Sequence, residues 1–209
     1  FFSSFGQSYF IGLFNSSIRL DLSISHGQFG SIYALATLIS SFCLILVGKK
    51  IDDFKLIYFA LFVIFLLFIS SFFFSLINNI YLLFLGIFFL RLSGQGLMAH
   101  TATTSVSRYF HKSRGKALSA TWLGLSFAEF IMPITVVFFL SLYSWRNIWI
   151  SISILIILFL PLFSFFTIKK INLSSREKSD FKVKKKNIKN WTRKEVLLDS
   201  KFYLISLVM

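Results

Sequence analysis

Arg91-Leu92-Ser93-Gly94-Gln95-Gly96 stands inside an apolar run from Ile80 to Ser107, after which the chain turns basic through Arg108-Tyr109-Phe110-His111-Lys112-Ser113-Arg114-Gly115. A lone arginine followed by closely spaced glycines suits neither bulk water nor plain lipid. The run around it is long enough for a membrane helix, which needs about 20 apolar residues to cross ~30 Å of hydrocarbon. A charge at mid-bilayer costs about 2.5–3.5 kcal/mol on insertion scales, so Arg91 needs a partner or a water-filled cavity. The stretch therefore reads as one helix of a membrane bundle, with its polar side turned inward.

The rest of the chain fits that bundle. Of its 209 residues 56% are hydrophobic and 19% aromatic, with a mean hydropathy of +0.77; soluble domains lie nearer ~45–50% apolar. Lipid accepts only helices or closed barrels, and continuous apolar runs of this length choose helices. Working outward, spans are expected at Phe1 to about Ile18, Gln28 to Gly48, Leu56 to Ile77, Ile80 to Ser107, Lys116 to Leu142 and Arg146 to Ile168. The chain starts without a methionine and ends at Met209 inside an apolar run, so it reads as a piece of a longer protein that stops early in a seventh span. The expected organisation is a six-helix transmembrane domain over 1–168, a basic loop over 169–198, and the start of a second transmembrane half over 199–209.

The formal net charge of +14 is unevenly placed: residues 169–195 hold eleven Lys and Arg against three acids. No nucleic-acid motif accompanies that charge, and an anionic membrane surface is its expected neighbour. Thr192-Arg193-Lys194-Glu195 has capping-box spacing and reads as the start of a short surface helix. The links after the even spans carry Lys49, Lys50 and Lys55, then Arg108, Lys112, Arg114 and Lys116, then the eleven cations. Those after the odd spans carry Arg19, no cation, and Arg146. By the positive-inside rule the even links and the N-terminus are expected in the cytoplasm.

Cys43 is the only cysteine, which rules out an intrachain disulfide and a cysteine metal cluster. No cofactor or metal is expected. A G-x-x-x-x-G-K-[ST] loop, an H-E-x-x-H pair and a G-x-S-x-G elbow are all missing, so neither ATP-driven pumping nor an intramembrane enzyme has support.

At 100° per residue the polar positions fall on stripes. Ser4, Gln7, Ile11 and Asn15 share one side of the first span; Tyr33, Thr37, Ser40, Ser41 and Gly48 one side of the second; Arg91, Gln95, Met98, Ala102 and Ser105 one side of the fourth. In the fifth, Glu129 lies with Leu118, Trp122, Leu125 and Pro133. The third and sixth carry little beyond serine and are expected to face lipid almost all round, leaving the other four as the inner wall. His100, opposite Arg91, reads as a packing residue. Arg91 and Glu129 lie roughly 16 and 20 Å from the same membrane face at about 1.5 Å per residue. An ion pair between them is feasible, either purely structural or serving solute binding and ion coupling.

Taken together, these motifs resemble the N-terminal six-helix half of a major facilitator superfamily transporter, in the bacterial and monocarboxylate or oxalate/formate branches. Gly48-Lys49-Lys50-Ile51-Asp52 is similar to the G-x-x-x-D signature between helices two and three, without its basic continuation. Arg91 to Gly96 is similar to the fourth-helix R-x-x-G-x-G pattern. Arg108-Tyr109-Phe110 with Arg114-Gly115-Lys116-Ala117 resembles the loop that follows, and Trp145-Arg146 the pair opening helix six. The resemblance implies an all-α integral membrane fold and a second six-helix half. It also implies alternating access in a bacterial inner membrane and secondary transport of a small solute, with a proton as the expected coupling ion.

The cavity candidates are Gln7, Asn15, Tyr33, Arg91 and Gln95. Arg91 with Glu129 is the coupling or buried ion pair, and Gly48, Asp52, Arg108 and Arg114 are the cytoplasmic gate, with a simple helix cap as the other reading of Asp52. A carboxylate or other anion is the expected solute. An exporter of amphipathic compounds is the alternative, and a non-transporting receptor or scaffold the alternative from another class.

Overall fold

Lipid offers backbone amides no partner, so apolar segments close their hydrogen bonds within themselves. The computed structural model follows that rule: among the described residues, 1–110, 113–170 and 198, there are helices and no strands. Five helices are long and apolar enough to cross a membrane: His26–Asp52, Leu56–Ser75, Ile80–Tyr109, Arg114–Leu140 and Trp145–Phe165. The basic segment, its Thr192 cap and the expected seventh span lie outside the described residues.

The first segment is not one helix. A 3-10 turn, Phe2–Gly6, is followed by α1 (Ser8–Leu13) and α2 (Asn15–Leu22). Gln7, between the turn and α1, is extended, with φ −78° and ψ 153°. Then come α3 (His26–Gly48), a 3-10 turn at Lys49–Asp52, α4 (Leu56–Ser75), α5 (Ile80–Leu90), a π-helical stretch at Arg91–Met98, α6 (Ala99–Tyr109), α7 (Arg114–Leu140) and α8 (Trp145–Lys170).

Local chemistry sets several ends. The Ser25 hydroxyl accepts from the Gln28 amide at 3.1 Å while the Gln28 side chain accepts from the Ser25 amide at 2.8 Å, a reciprocal cap that starts α3. Asn79 caps α5 by accepting from the Leu82 amide at 2.9 Å.

The packing order differs from the expected one. Over their most apolar windows the fourth span is 56% buried and the third and sixth 39% and 33%, whereas the second and fifth are only 11% and 17% buried. The third and sixth spans therefore do not face lipid all round; α4 and α8 form the most extensive helix pair. Serine is small and can bond back to its own helix, so it packs inward at little polar cost. Ser70, Ser71 and Ser75 are all buried, Ser70 donates to the Leu66 carbonyl at 2.6 Å, and Ser93 of the π stretch donates to Ser70 at 3.2 Å. Trp149 of α8 is fully buried among Phe74, Phe14 and Phe10, with ring centroids 4.7, 5.2 and 5.6 Å away. This aromatic cluster ties the first segment to the α4–α8 pair. The second and fifth spans keep broad apolar faces exposed, Leu38, Phe42 and Leu46 on α3 and Leu123, Phe127 and Phe130 on α7.

Candidate functional site

The π stretch Arg91–Met98 lies inside the fourth span, and single π turns are frequent at functional sites. Two glycines let the first segment press against it. A Cβ on Gly94 would lie 2.6 Å from the Gly6 nitrogen and 2.7 Å from the Gly6 Cα. A Cβ on Gly6 would lie 2.5 Å from the Gln95 nitrogen and 2.8 Å from the Gly94 Cα. Only hydrogen fits between these backbones at both positions. Gly96 lies against Leu44 of α3, 3.1 Å from where its Cβ would be.

That approach brings the break at Gln7 to Arg91. The extended residue interrupts helical bonding and leaves the Gly6 carbonyl pointing out of the helix ladder. Arg91 Nη1 donates to it at 3.1 Å and to Ser8 Oγ at 3.1 Å. The Tyr33 hydroxyl of α3 donates to the same Ser8 oxygen at 2.9 Å, and its ring lies 5.4 Å from the guanidinium carbon. Arg91 is 8% exposed, and its Nε has no partner among the described residues; the buried Oε1 of Gln95 has none either. The result is a buried cation held by a carbonyl, a hydroxyl and a ring face, all neutral.

Glu129 does not complete this site. It is exposed on α7 and makes no ion pair among the described residues, where the salt bridges are Lys50–Asp53, Arg108–Asp52 and Arg146–Asp21. The Phe2–Gly6 turn of the first segment packs on both the π stretch that carries Arg91 and the α7 helix that carries Glu129. Residue counting compares the two charges along the membrane normal only, and depth is one coordinate of three. Glu129 lies near Tyr9 of α1, whose hydroxyl reaches Met132 Sδ at 3.7 Å.

Among the other cavity candidates, Tyr33 joins Arg91 directly and Gln95 shares its π stretch. Gln7 is half-buried at the break itself. Asn15 turns away, its Oδ1 accepting from Arg19 Nε at 2.7 Å. The stripe expected along the first span is lost, because the break resets the helical phase and buries Ser4 and Ile11 completely. The stripes on the fourth and fifth spans do meet. A cleft of about 170 Å³ is lined by Met98 and Ala102 from one, Trp122 and Leu125 from the other, and Phe1 and Phe2 of the first segment.

Each end of the bundle carries an ion pair. Arg108 Nη2 donates to Asp52 Oδ1 at 2.6 Å and to the Ile51 carbonyl at 3.4 Å, linking the ends of the second and fourth spans. Gly48 is buried beside His100, 3.6 Å from where its Cβ would be, which agrees with a packing role for that histidine. Arg114 is exposed and does not join Asp52. At the other end Arg146 Nη2 donates to Asp21 Oδ2 and to the Ile77 carbonyl, both at 2.6 Å, while its guanidinium lies 4.3 Å from the Trp145 ring centroid. No group of three or more His, Cys, Asp or Glu among the described residues is placed to hold a metal ion.

The model of the Major Facilitator Superfamily matches residues 1–209. The chain belongs to this superfamily. No curated protein and no solved structure gives a match beside it. As a member of the superfamily it is a multi-pass membrane protein of a transporter family. In this superfamily chain the residues that sequence reasoning missed are Gly6, Ser8 and Asp21. Asp21 had a visible signal, being the first acid of the chain, with the next at Asp52. Gly6 and Ser8 had none, because a break one residue long leaves the apolar pattern around it intact.

Proposed function

We propose that this chain is the N-terminal half of a secondary active transporter that moves a small organic anion, a carboxylate, by alternating access. One observation carries the reading: Arg91 is buried with only neutral partners, so its charge is uncompensated among the described residues. Buried charges are normally paired, and an anionic solute supplies the missing counter-charge. The unpartnered Arg91 Nε offers it a donor, and the Tyr33 hydroxyl, bonded to the same Ser8 as Arg91, and the Gln95 side chain of the same π stretch are the groups that would orient it. A carboxylate that draws Nη1 off the Gly6 carbonyl also unties the break in the first segment, which couples binding to backbone rearrangement.

In this reading the Asp52–Arg108 end, with Gly48 and Arg114, is the cytoplasmic gate, and the exposed faces of α3 and α7 meet a second six-helix half of the same chain. Glu129, on the α7 stripe that lines the cleft, exchanges the coupling proton. The membrane is the inner membrane of a bacterium, with the N-terminus in the cytoplasm. A second reading, efflux of amphipathic solutes, draws on the aromatic lining of the cleft by Phe1, Phe2 and Trp122.

The deciding measurement is initial-rate transport of a panel of labelled carboxylates and lipophilic cations by the full-length protein in proteoliposomes. Losing one side of a buried charge pair costs about 2–5 kcal/mol, so Arg91→Ala raises KM for a carboxylate at least about thirtyfold. Arg91→Lys recovers part of the loss. An Arg91→Ala protein that inserts normally and carries the carboxylate at the original rate overturns the proposal, and transport of the cations alone selects the second reading.

A further inference from the structure

We infer that the mouth between α6 and α7 is a second, separate anion site, which takes a phosphate-bearing group. It is distinct from the Arg91 site: an open cleft of about 500 Å³ at the other end of α6, lined by Thr103, Thr104, Ser107, Arg108, Arg114 and Trp122.

The chemistry of the lining is one-sided. Among the described residues two guanidinium groups border the cleft, and no acid does. Among the described residues the acid that meets these guanidinium groups is Asp52, and it occupies only one nitrogen of Arg108: Nη2 holds both Asp52 and the Ile51 carbonyl. A guanidinium has five N–H donors and suits phosphate, and the Nη1 and Nε donors of Arg108 make no hydrogen bond among the described residues. Arg114 makes no hydrogen bond or ion pair among the described residues, and the hydroxyls of Thr104 and Ser107 make none there either. Thr103 differs, since its hydroxyl already donates to the Ala99 carbonyl at 3.0 Å. Among the described residues the cleft thus offers one anchored guanidinium with donors to spare, one unengaged guanidinium and two unengaged hydroxyls around one space. Trp122, half exposed, forms an apolar wall beside them, as tryptophan does at the level of lipid head groups.

Asp52 has a further part here. It anchors Arg108 through the Lys49–Asp52 turn, so the guanidinium is held in place before any anion arrives. An ion pair this exposed contributes little to stability, and positioning Arg108 is a consequence that does not depend on its strength. Phosphate can come from a soluble anion or from the head group of an anionic lipid, and both present the same oxygens to the same donors.

The test uses the full-length protein in nanodiscs with Leu118→Cys as its only thiol; Leu118 lines the cleft without contributing a polar group. The readout is the rate at which an anionic methanethiosulfonate modifies that thiol. Saturating inorganic phosphate, at matched ionic strength in phosphatidylcholine discs, slows the reaction by about fivefold if the site takes a soluble anion. Slowing that appears only when phosphatidylglycerol is added assigns the site to a lipid head group. In either case Arg114→Gln, at an exposed position, abolishes the slowing, and Ser107→Ala reduces it. The inference is overturned if neither phosphate nor phosphatidylglycerol slows the reaction, or if Arg114→Gln leaves the slowing intact. Transport through Arg91 plays no part in this readout, so its result is independent of the carboxylate proposal.

Discussion

Replacing Gly94 with alanine places a methyl carbon 2.6 Å from the Gly6 nitrogen and 2.7 Å from the Gly6 Cα, against backbone that no rotamer change can move. Ordinary contact begins near 3.4 Å, so the first segment must back away by roughly 0.8 Å. The bonds from Arg91 Nη1 to the Gly6 carbonyl and Ser8 Oγ, both 3.1 Å long, lie across this contact. Lengthened by that amount they leave the hydrogen-bonding range of about 2.7–3.2 Å. Overpacking costs about 1–3 kcal/mol, and stranding a buried polar group about 1–3 kcal/mol more. A loss of roughly 2–6 kcal/mol is therefore expected, seen as a lowered unfolding temperature of the purified full-length protein in detergent.

Gly12→Ala and Gly30→Ala are the controls, since nothing lies within 4 Å of a Cβ at either site; they are expected to be neutral or slightly stabilising, as alanine favours helix. Gly6→Ala should resemble Gly94→Ala. The double variant should cost far less than the sum, because both methyl groups open one gap. Equal stability of Gly94→Ala and Gly12→Ala, or full additivity of the pair, would refute the close-contact account of the site.

At the Asp52 end, Asp52→Ala is expected to cost under about 1 kcal/mol, since the carboxylate is 71% exposed, yet to shift the inward/outward balance in a cysteine-accessibility assay; no shift leaves only a loop contact. At the opposite end, Arg146→Ala should cost more than Asp21→Asn. Arg146 also holds the Ile77 carbonyl and lies over Trp145, and thermal unfolding of the two variants compares them directly. Glu129→Gln should stop solute-driven proton flux while sparing solute exchange across equal gradients. Unchanged proton flux removes Glu129 from coupling.

The membrane helices were legible because lipid imposes a length: the outer bounds of α3, α4, α5 to α6, α7 and α8 each lie within two residues of the sequence reading. Arg91 was legible as a residue in need of a partner, because its cost in lipid does not depend on the fold. Its partners were not legible. They are a carbonyl released by a one-residue break and a serine two positions later, and residue type does not announce a free carbonyl. The pairing of α4 with α8 was hidden for a related reason: serine reads as nearly apolar in a hydropathy average, although its small size is what lets helices close on each other. The Arg108–Asp52 bond was half visible, as an acid expected to meet basic helix ends, and the fold selects which end.

The break at Gln7 also sets an order of assembly. The Gly6 carbonyl takes its hydrogen bond from Arg91, 85 positions further along the chain. At about 5–20 residues per second of synthesis, the donor leaves the ribosome roughly 4–17 s after the acceptor. Until then the first segment is a set of short helices with an open backbone joint, which hydrocarbon does not tolerate unsatisfied. It must wait in water, at the interface, or in the care of the insertion machinery, and its final seat in the bilayer forms only when the fourth span arrives. A truncation that ends before Arg91 should therefore leave this segment unable to settle, although every residue of its own is present.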